Sequence, residues 1–203
     1  MDRDREAGII TASGAALAVV GIAAFIAWRK RKGHGSSTPS YSTGAPSNYP
    51  PLNNNYEWSD DGLAVTSYTT GNTTGWINHN PGNIVKTSDQ WLGKVGDDGH
   101  FVKFVSNLYG YRAMIKTLQT YIRKGYNTAR KIVDRWSGVS NNGNYLNFVV
   151  ANSILDADEV IAANDYISLM SLVSAIAMME NGKSPEPDDN EIADAAILVS
   201  NGI

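Results

Sequence analysis

One acidic residue follows the most apolar stretch in the second half of the chain. The 14 residues from Tyr166 to Met179 contain no charged side chain, and Glu180 comes directly after them. A helix that is apolar on nearly all sides is usually the central, buried helix of a domain. Burial and the negative end of the helix dipole would both favour the protonated carboxyl of Glu180. A protonated carboxyl is the general acid that glycosidic cleavage requires, although an exposed acid at a frayed helix end gives the same sequence pattern.

The sequence gives little support to other kinds of catalytic chemistry. The chain has no cysteine, which excludes a thiol nucleophile and a cysteine-based zinc site. It has no Ser nucleophile motif of the GxSxG type. The three histidines lack the spacing of metal ligands, so we expect neither a metal nor a cofactor. These histidines are His34, His79 and His100.

The elements that must position Glu180 are predicted to be mostly helices. After Leu108, apolar residues recur at three- and four-residue spacing, which is typical of amphipathic helices. The preceding part of the domain is rich in Asn, Gly and Thr and predicts a loop-rich lobe with short hairpins around 63–68 and 100–105. The predicted fold class is therefore mainly α. Four predicted helices have both ends assigned: Leu108 to Gly125, Thr128 to Trp136, Tyr166 (capped by Asp165) to Asn181, and Glu191 to Ser200. Two more have only a predicted start, one at a cap by Asn144 and one at a capping box of Asp156 and Glu159.

The N-terminal part of the chain predicts a membrane anchor. Residues 8–28 contain no charge over 21 positions, and a helix of that length, at about 1.5 Å per residue, spans a hydrocarbon core of roughly 30 Å. Trp28 suits the membrane interface, and four basic residues follow it at 29–32. A cleaved signal peptide is the alternative, but the net acidic start at 2–6 argues against it. The basic flank would lie on the cytoplasmic side.

The rest of the chain divides into two further parts. We expect residues 1–32 to be one N-terminal transmembrane helix with a basic stop, 33–56 to be a flexible linker, and 57–203 to be the folded domain. The full chain has a net charge of −3, but residues 33–203 carry 11 Lys/Arg and 17 Asp/Glu, a net charge of −6. Because such a domain repels phosphate backbones, we expect no nucleic-acid partner.

Residues 76–182 resemble a family of phage and prophage virion proteins with a lysozyme-like domain. That family looks like a circularly permuted relative of the lytic transglycosylases and glucosaminidases, in which the helix that bears the catalytic Glu comes last in the sequence. The resemblance covers about half of the chain. It rests on Asn80-Pro81-Gly82-Asn83-Ile84, Trp91, Gly93, Gly99-His100-Phe101, Phe104, Tyr109-Gly110-Tyr111-Arg112-Ala113, Leu118 to Tyr121, Asn127-Thr128, Ile132, Arg135-Trp136, Asn141-Asn142, Tyr145, Val149 and Glu180-Asn181-Gly182.

The resemblance implies roles for particular residues. It assigns the catalytic acid to Glu180 and contact with the glycan to Asn80, Asn83, Tyr111 and Tyr145. In a lytic transglycosylase the attacking oxygen is the muramic acid's own hydroxyl, and no second carboxylate is needed. An inverting hydrolase would need a second acid about 6.5–9.5 Å away. The candidates for that acid are Asp97, Asp98 and Asp134, and no motif chooses among them.

The implied function is that of a membrane-anchored phage virion enzyme that degrades peptidoglycan when the virus enters its host. Its partners would be peptidoglycan glycan strands, the lipid bilayer of an internal viral membrane and, beyond these, capsid proteins. The chain would span the host cell membrane once during assembly and then the viral membrane. The alternative from another class is a non-catalytic structural virion protein whose lysozyme-like module binds without cutting.

Overall fold

The computed structural model describes residues 71–203 and, outside that range, Ala27 alone. The predicted anchor, the linker, the hairpin at 63–68 and the start of the domain at residue 57 lie outside the described residues. Within 71–203 no helix has both the length and the apolar character needed to cross a membrane. The elements are α1 (Thr74–Ile77), β1 (Lys94–Asp97), β2 (Val102–Phe104), α2 (Asn107–Arg123), α3 (Ala129–Ser137), α4 (Gly143–Ala151), α5 (Tyr166–Asn181) and α6 (Asp189–Ser200).

The central helix is α5, and the predicted mainly α fold is confirmed. Every residue from Ser168 to Met178 is buried, as expected for a run without charged side chains. The helix begins where predicted, because the Asp165 carboxylate accepts hydrogen bonds from the backbone N–H and the hydroxyl of Ser168. Helices α1, α2, α4 and α6 all pack against α5. Its C-terminal end is thereby fixed within the domain.

The most extensive helix contact joins α2 to α6. Helix α2 buries residues at three- and four-residue spacing, among them Leu108, Met114 and Leu118. It ends before Gly125, whose φ of 91° lies in the left-handed region that favours glycine. The predicted bounds of this helix are thus correct to within two residues.

The helices α3 and α4 begin at side-chain caps. The Thr128 hydroxyl accepts a hydrogen bond from the Lys131 N–H at the start of α3, and Gly138 ends that helix in the left-handed conformation. At the start of α4 the capping side chain belongs to Asn142, which accepts from the Tyr145 N–H. The predicted cap at Asn144 is therefore wrong by two residues, and Asn144 lies inside the helix.

The predicted helix at Asp156 and Glu159 is wrong. Residues 152–165 form turns and loops, although Leu155 and Ile161 are buried in the core. Two backbone groups of this segment pair with the first turn of α3 and with the chain just before it. The Arg130 N–H donates to the Ala157 carbonyl at 2.9 Å, and the Ile161 N–H donates to the Asn127 carbonyl at 2.8 Å.

The first part of the described domain contains a single antiparallel hairpin of β1 and β2, with a bulge between Lys94 and Gly96. This confirms a hairpin near 100–105. The turn between the strands is built on the Asp98 carboxylate, which accepts hydrogen bonds from the N–H groups of His100 and Phe101. The rest of 71–106 is loop apart from the short α1, so the helices supply most of the core.

Candidate functional site

The Glu180 carboxyl is held by two side chains from distant parts of the chain. Glu180 lies in the last turn of α5 and is half-buried. The Tyr145 hydroxyl donates a hydrogen bond to its Oε1 at 2.7 Å, and the Asn83 amide donates to its Oε2 at 3.0 Å. Two directed donors fix the plane of the carboxyl group, which an acid at a frayed helix end would not have.

Asn83 reaches Glu180 because the loop before it is braced from inside by Asn80. The Asn80 amide donates to the carbonyls of Ile84 and Val102 and accepts from the Ile84 N–H, all at 2.9 Å. Its side chain is 0% exposed. Asn83 itself has a φ of 49°, a left-handed conformation that Asn tolerates better than most residues.

Asn181 ties the same loop to the end of α5. Its amide donates to the Pro81 carbonyl at 2.7 Å, and its Oδ1 accepts from the Thr73 hydroxyl at 2.6 Å. Because Asn181 is adjacent to Glu180, these bonds set the distance between the loop and the acid. In the sequence Asn181 is recognisable only as part of the Glu180-Asn181-Gly182 motif, and its position at the end of the uncharged helix is the signal for this role.

Close backbone packing also places the loop. A Cβ added to Gly110 in α2 would overlap the carbonyl oxygen of His79, and one added to Gly82 would lie 2.7 Å from Met114 Cγ. Both positions thus need a residue without a side chain. The absence of side chains lets the loop lie directly against α2.

Tyr145 is a neutral donor in this arrangement. It lies in the first turn of α4 and is 5% exposed. Burial raises the pKa of its hydroxyl well above the ordinary value of 10.0, and the Glu180 carboxylate raises the pKa further. The hydroxyl therefore keeps its proton at any pH at which the protein would work.

A cleft of about 500 Å³ lies beside this group. Its wall includes Asn83, the aromatic side chains Trp91, Tyr121 and Trp136, and the backbone of Gly82. Glu180 is not among the lining residues, so Asn83 connects the acid with the cleft. A cleft with aromatic walls and a few polar groups has the form expected of a ligand site.

The candidate second acids are engaged elsewhere. Asp97 pairs with Lys86 at 3.1 Å, and this bond together with the Gly99 N–H lowers its pKa. Hydrogen bonds from Phe101, His100 and Asn78 lower the pKa of Asp98 from 3.8 to about 2. Both acids belong to the hairpin turn.

Asp134 also has a structural partner, since its Oδ1 accepts a hydrogen bond from the Asn142 N–H at 3.2 Å. Among the hydrogen bonds and ion pairs of residues 71–203, none joins Asp97, Asp98 or Asp134 to Glu180. The geometry therefore favours none of them as its partner.

Of the four predicted glycan contacts, two are inaccessible. Asn80 and Tyr111 are both 0% exposed, and they brace the loop and fill the core, respectively. Asn83 and Tyr145 contact Glu180, a role that was not predicted for either of them. In the sequence Tyr145 is followed by the apolar residues Leu146, Phe148 and Val149, and its hydroxyl is the only sign that it could contact a polar group.

Neither of the two histidines in 71–203, His79 and His100, belongs to a metal site, and His34 lies outside the described residues. Within 71–203 no group of three His, Cys, Asp or Glu side chains could hold a metal ion. His79 Nδ1 lies 3.2 Å from the Asn107 side-chain oxygen, and His100 stacks edge-on against Phe101.

Comparison with known proteins gives no family for this chain. The sequence matches no model of a known protein family, and no similar curated protein was found.

Proposed function

We propose that the domain is lysozyme-like and cleaves peptidoglycan glycan strands, with Glu180 as the catalytic acid. The observation that carries the proposal is the half-buried carboxyl held by Tyr145 and by Asn83, which also lines the cleft. An acid fixed in one plane beside an open cleft is what protonation of a glycosidic oxygen requires. The sequence resemblance to virion proteins with a lysozyme-like domain points to the same residue.

The proposed chemistry needs only one carboxyl group. The protonated Glu180 gives its proton to the glycosidic oxygen as the bond to the muramic acid carbon breaks. The carboxylate then takes the proton of the muramic acid hydroxyl that attacks the same carbon, which closes an anhydro ring. Each carboxyl oxygen has a second lone pair beyond the one that Tyr145 or Asn83 occupies, and this is where the substrate would bind. The engagement of Asp97 and Asp98 in the hairpin favours this route over inverting hydrolysis.

Unpaired polar atoms support the cleft as the substrate site. Asn83 Oδ1 and Trp91 Nε1 are buried and have no hydrogen-bond partner among the described residues. Buried polar groups are rarely left without partners in native proteins. An acetamido or hydroxyl group of an amino sugar would supply both an acceptor and a donor.

The proposal is tested with Glu180→Gln. We expect the variant to lose its clearing zone on a peptidoglycan zymogram, because the amide cannot donate the proton. The matched control is Glu159→Gln, the same change at an exposed loop position, which should clear as the unchanged chain does. Mass spectrometry of the released fragments should show anhydro ends. Full clearing by Glu180→Gln would end the proposal.

One observation favours a second candidate, a structural virion protein that binds the wall without cutting it. Both oxygens of Glu180 already accept hydrogen bonds from protein side chains, and Glu180 does not line the cleft. In that case the unchanged chain would sediment with insoluble peptidoglycan but release no fragments from it.

We also propose, from the sequence alone, that residues 1–32 anchor the domain in the internal membrane of a virion and that residues 33–56 tether it. The domain would then lie between membrane and capsid. Protease added outside purified viral membrane vesicles should remove the domain. Protection on the outside, with cleavage only after the vesicles are opened, would contradict this placement.

A further inference from the structure

One wall of the cleft carries a cation that is fixed by aromatic rings. The guanidinium carbon of Arg135 lies 5.6 Å from the ring centre of Tyr121 and 5.8 Å from that of Tyr126. Trp136 packs edge-on against Tyr121, with ring centres 6.2 Å apart. Stacking of this kind restrains the guanidinium plane, and the Tyr121 hydroxyl is close enough to interact with the Arg135 N–H groups. The guanidinium has five N–H donors, so others remain for a ligand.

Lys124 joins Arg135 in the lining of the cleft. Lys124 caps α2 and Arg135 lies in the last turn of α3, so each stands at a helix C-terminal end, and the two helices pack against each other. Both side chains are exposed. We refer to Lys124, Arg135, Tyr121 and Trp136 as the cationic end of the cleft.

The charge at this end is opposite to that of the domain as a whole. Of the 11 Lys/Arg in residues 33–203, six fall within 116–135, which contain one acid, Asp134. The remaining 16 of the 17 Asp/Glu lie outside that stretch. Positive charge concentrated beside a cleft in an acidic domain attracts an anionic group to that point.

Arg135 has no carboxylate partner within the part of the chain that the structure describes. Neither the ion pair of Lys86 with Asp97 nor that of Arg130 with Asp158 includes it. Asp89, the acid that lines the cleft, accepts a hydrogen bond from the Thr87 hydroxyl at 2.7 Å. A guanidinium that is held in place and has no carboxylate partner is suited to bidentate binding of a carboxylate.

We propose that the cationic end of the cleft binds a carboxylate of the peptide that peptidoglycan carries on its muramic acid. The inference rests on the proposed function, which brings a glycan strand into this cleft. The aromatic rings pack against the sugar or the aliphatic part of the peptide, and the Arg135 edge and the Lys124 ammonium bind the free carboxylate. The domain would thus prefer peptide-bearing strands to bare ones.

The test is calorimetric binding to the full-length chain in detergent, with Glu180→Gln as the background so that no ligand is cleaved. The probes are a GlcNAc–MurNAc tripeptide and uncharged chitotriose. Arg135→Gln should weaken tripeptide binding about tenfold or more and leave chitotriose binding unchanged. Lys124→Gln, at a helix cap where the fold tolerates change, should weaken it in the same sense. The matched control is Arg123→Gln, which removes one exposed charge nearby without lining the cleft.

A third probe identifies the carboxylate. The same disaccharide without its peptide carries a free lactyl carboxylate on the muramic acid, and it should bind no better than chitotriose. Equal tripeptide affinity with and without Arg135, or an equal loss for tripeptide and chitotriose, overturns the inference. The result is separable from the proposed function: peptide binding through Arg135 without Glu180-dependent cleavage would mean a binding module. Glu180-dependent cleavage without tighter binding of the tripeptide would support the proposed enzyme and rule out the carboxylate subsite.

Discussion

The Tyr145 hydroxyl and the Glu180 carboxyl lie 2.7 Å apart, although 35 residues separate them in the chain. The contact joins the first turn of α4 to the last turn of α5, which pack against each other. A buried phenol that cannot ionise gives the acid a donor whose strength does not change with pH. Tyr145 is therefore a positioning residue for Glu180 in the proposed reaction.

Tyr145→Phe removes this donor and keeps the ring that packs in the core. We expect the rate of fragment release from peptidoglycan to fall roughly ten- to a hundredfold, since a hydrogen bond to a charged group contributes about 1.5–3 kcal/mol. The melting temperature should fall by only a few degrees, because the aromatic packing is kept. Initial rates and thermal unfolding of the same preparations measure both effects.

The control for this change is Tyr166→Phe, the same deletion of a hydroxyl in the first turn of α5 and away from Glu180. Its rate should equal that of the unchanged chain. If Tyr145→Phe also keeps the full rate, the 2.7 Å bond has no role in positioning the acid.

Asn181→Ala should destabilise the domain and lower its activity together. The change leaves the Pro81 carbonyl and the Thr73 hydroxyl without their Asn181 partner. Loss of partners for buried polar groups costs about 1–3 kcal/mol. Denaturant unfolding checks the value, and Asn201→Ala, which removes an exposed amide at the end of α6, should change stability by less than about 0.5 kcal/mol. Equal stability of the two variants would show that the loop is held by other contacts.

The helices could be predicted where the apolar pattern was long and the cap unambiguous. The bounds of α5 are correct because an uncharged run follows Asp165 directly and Gly182 follows Asn181. The prediction failed at Asp156 and Glu159, where a capping box lacked a continuous apolar stripe and the backbone has partners in the first turn of α3 and in the chain just before it. The predicted start of α4 was two residues too late, because Asn142 and Asn144 are equally good caps in the sequence and only the fold decides between them.

The candidate site was predictable only in part. The position of Glu180 at the end of a buried helix follows from the sequence, and its half-burial is confirmed. The contact of Asn83 with Glu180 joins residues that are 97 positions apart in the chain, and no local sequence pattern predicts such a contact. Arg135 was missed as a site residue because a basic residue near a helix C-terminus has an ordinary explanation in the helix dipole.

Gly110→Ala should destabilise the domain, because its Cβ would overlap the His79 carbonyl oxygen. Overpacking against a backbone atom costs about 1–3 kcal/mol, and the displaced loop should carry Asn83 away from Glu180. The matched change Gly143→Ala is also in a helix, but nothing lies within 4 Å of the added Cβ. That variant should gain about 0.5–1 kcal/mol. Denaturant unfolding should show a lower free energy of unfolding for Gly110→Ala and a higher one for Gly143→Ala. A change in the same direction for both variants would contradict the close approach of α2 to the loop.

The hairpin turn should loosen in acid because of Asp98. Hydrogen bonds from Phe101, His100 and Asn78 lower its pKa from 3.8 to about 2 in the folded chain. A lowered pKa means that the stabilising bonds are complete above pH 4 and are lost as the pH falls towards 2. The amide proton shifts of His100 and Phe101, followed by NMR, should titrate in that window. In Asp98→Asn they should not titrate there, whereas Asp89→Asn, at an acid outside the turn, should leave the titration unchanged. A midpoint near 4 in the unchanged chain would show that the turn does not stabilise the carboxylate.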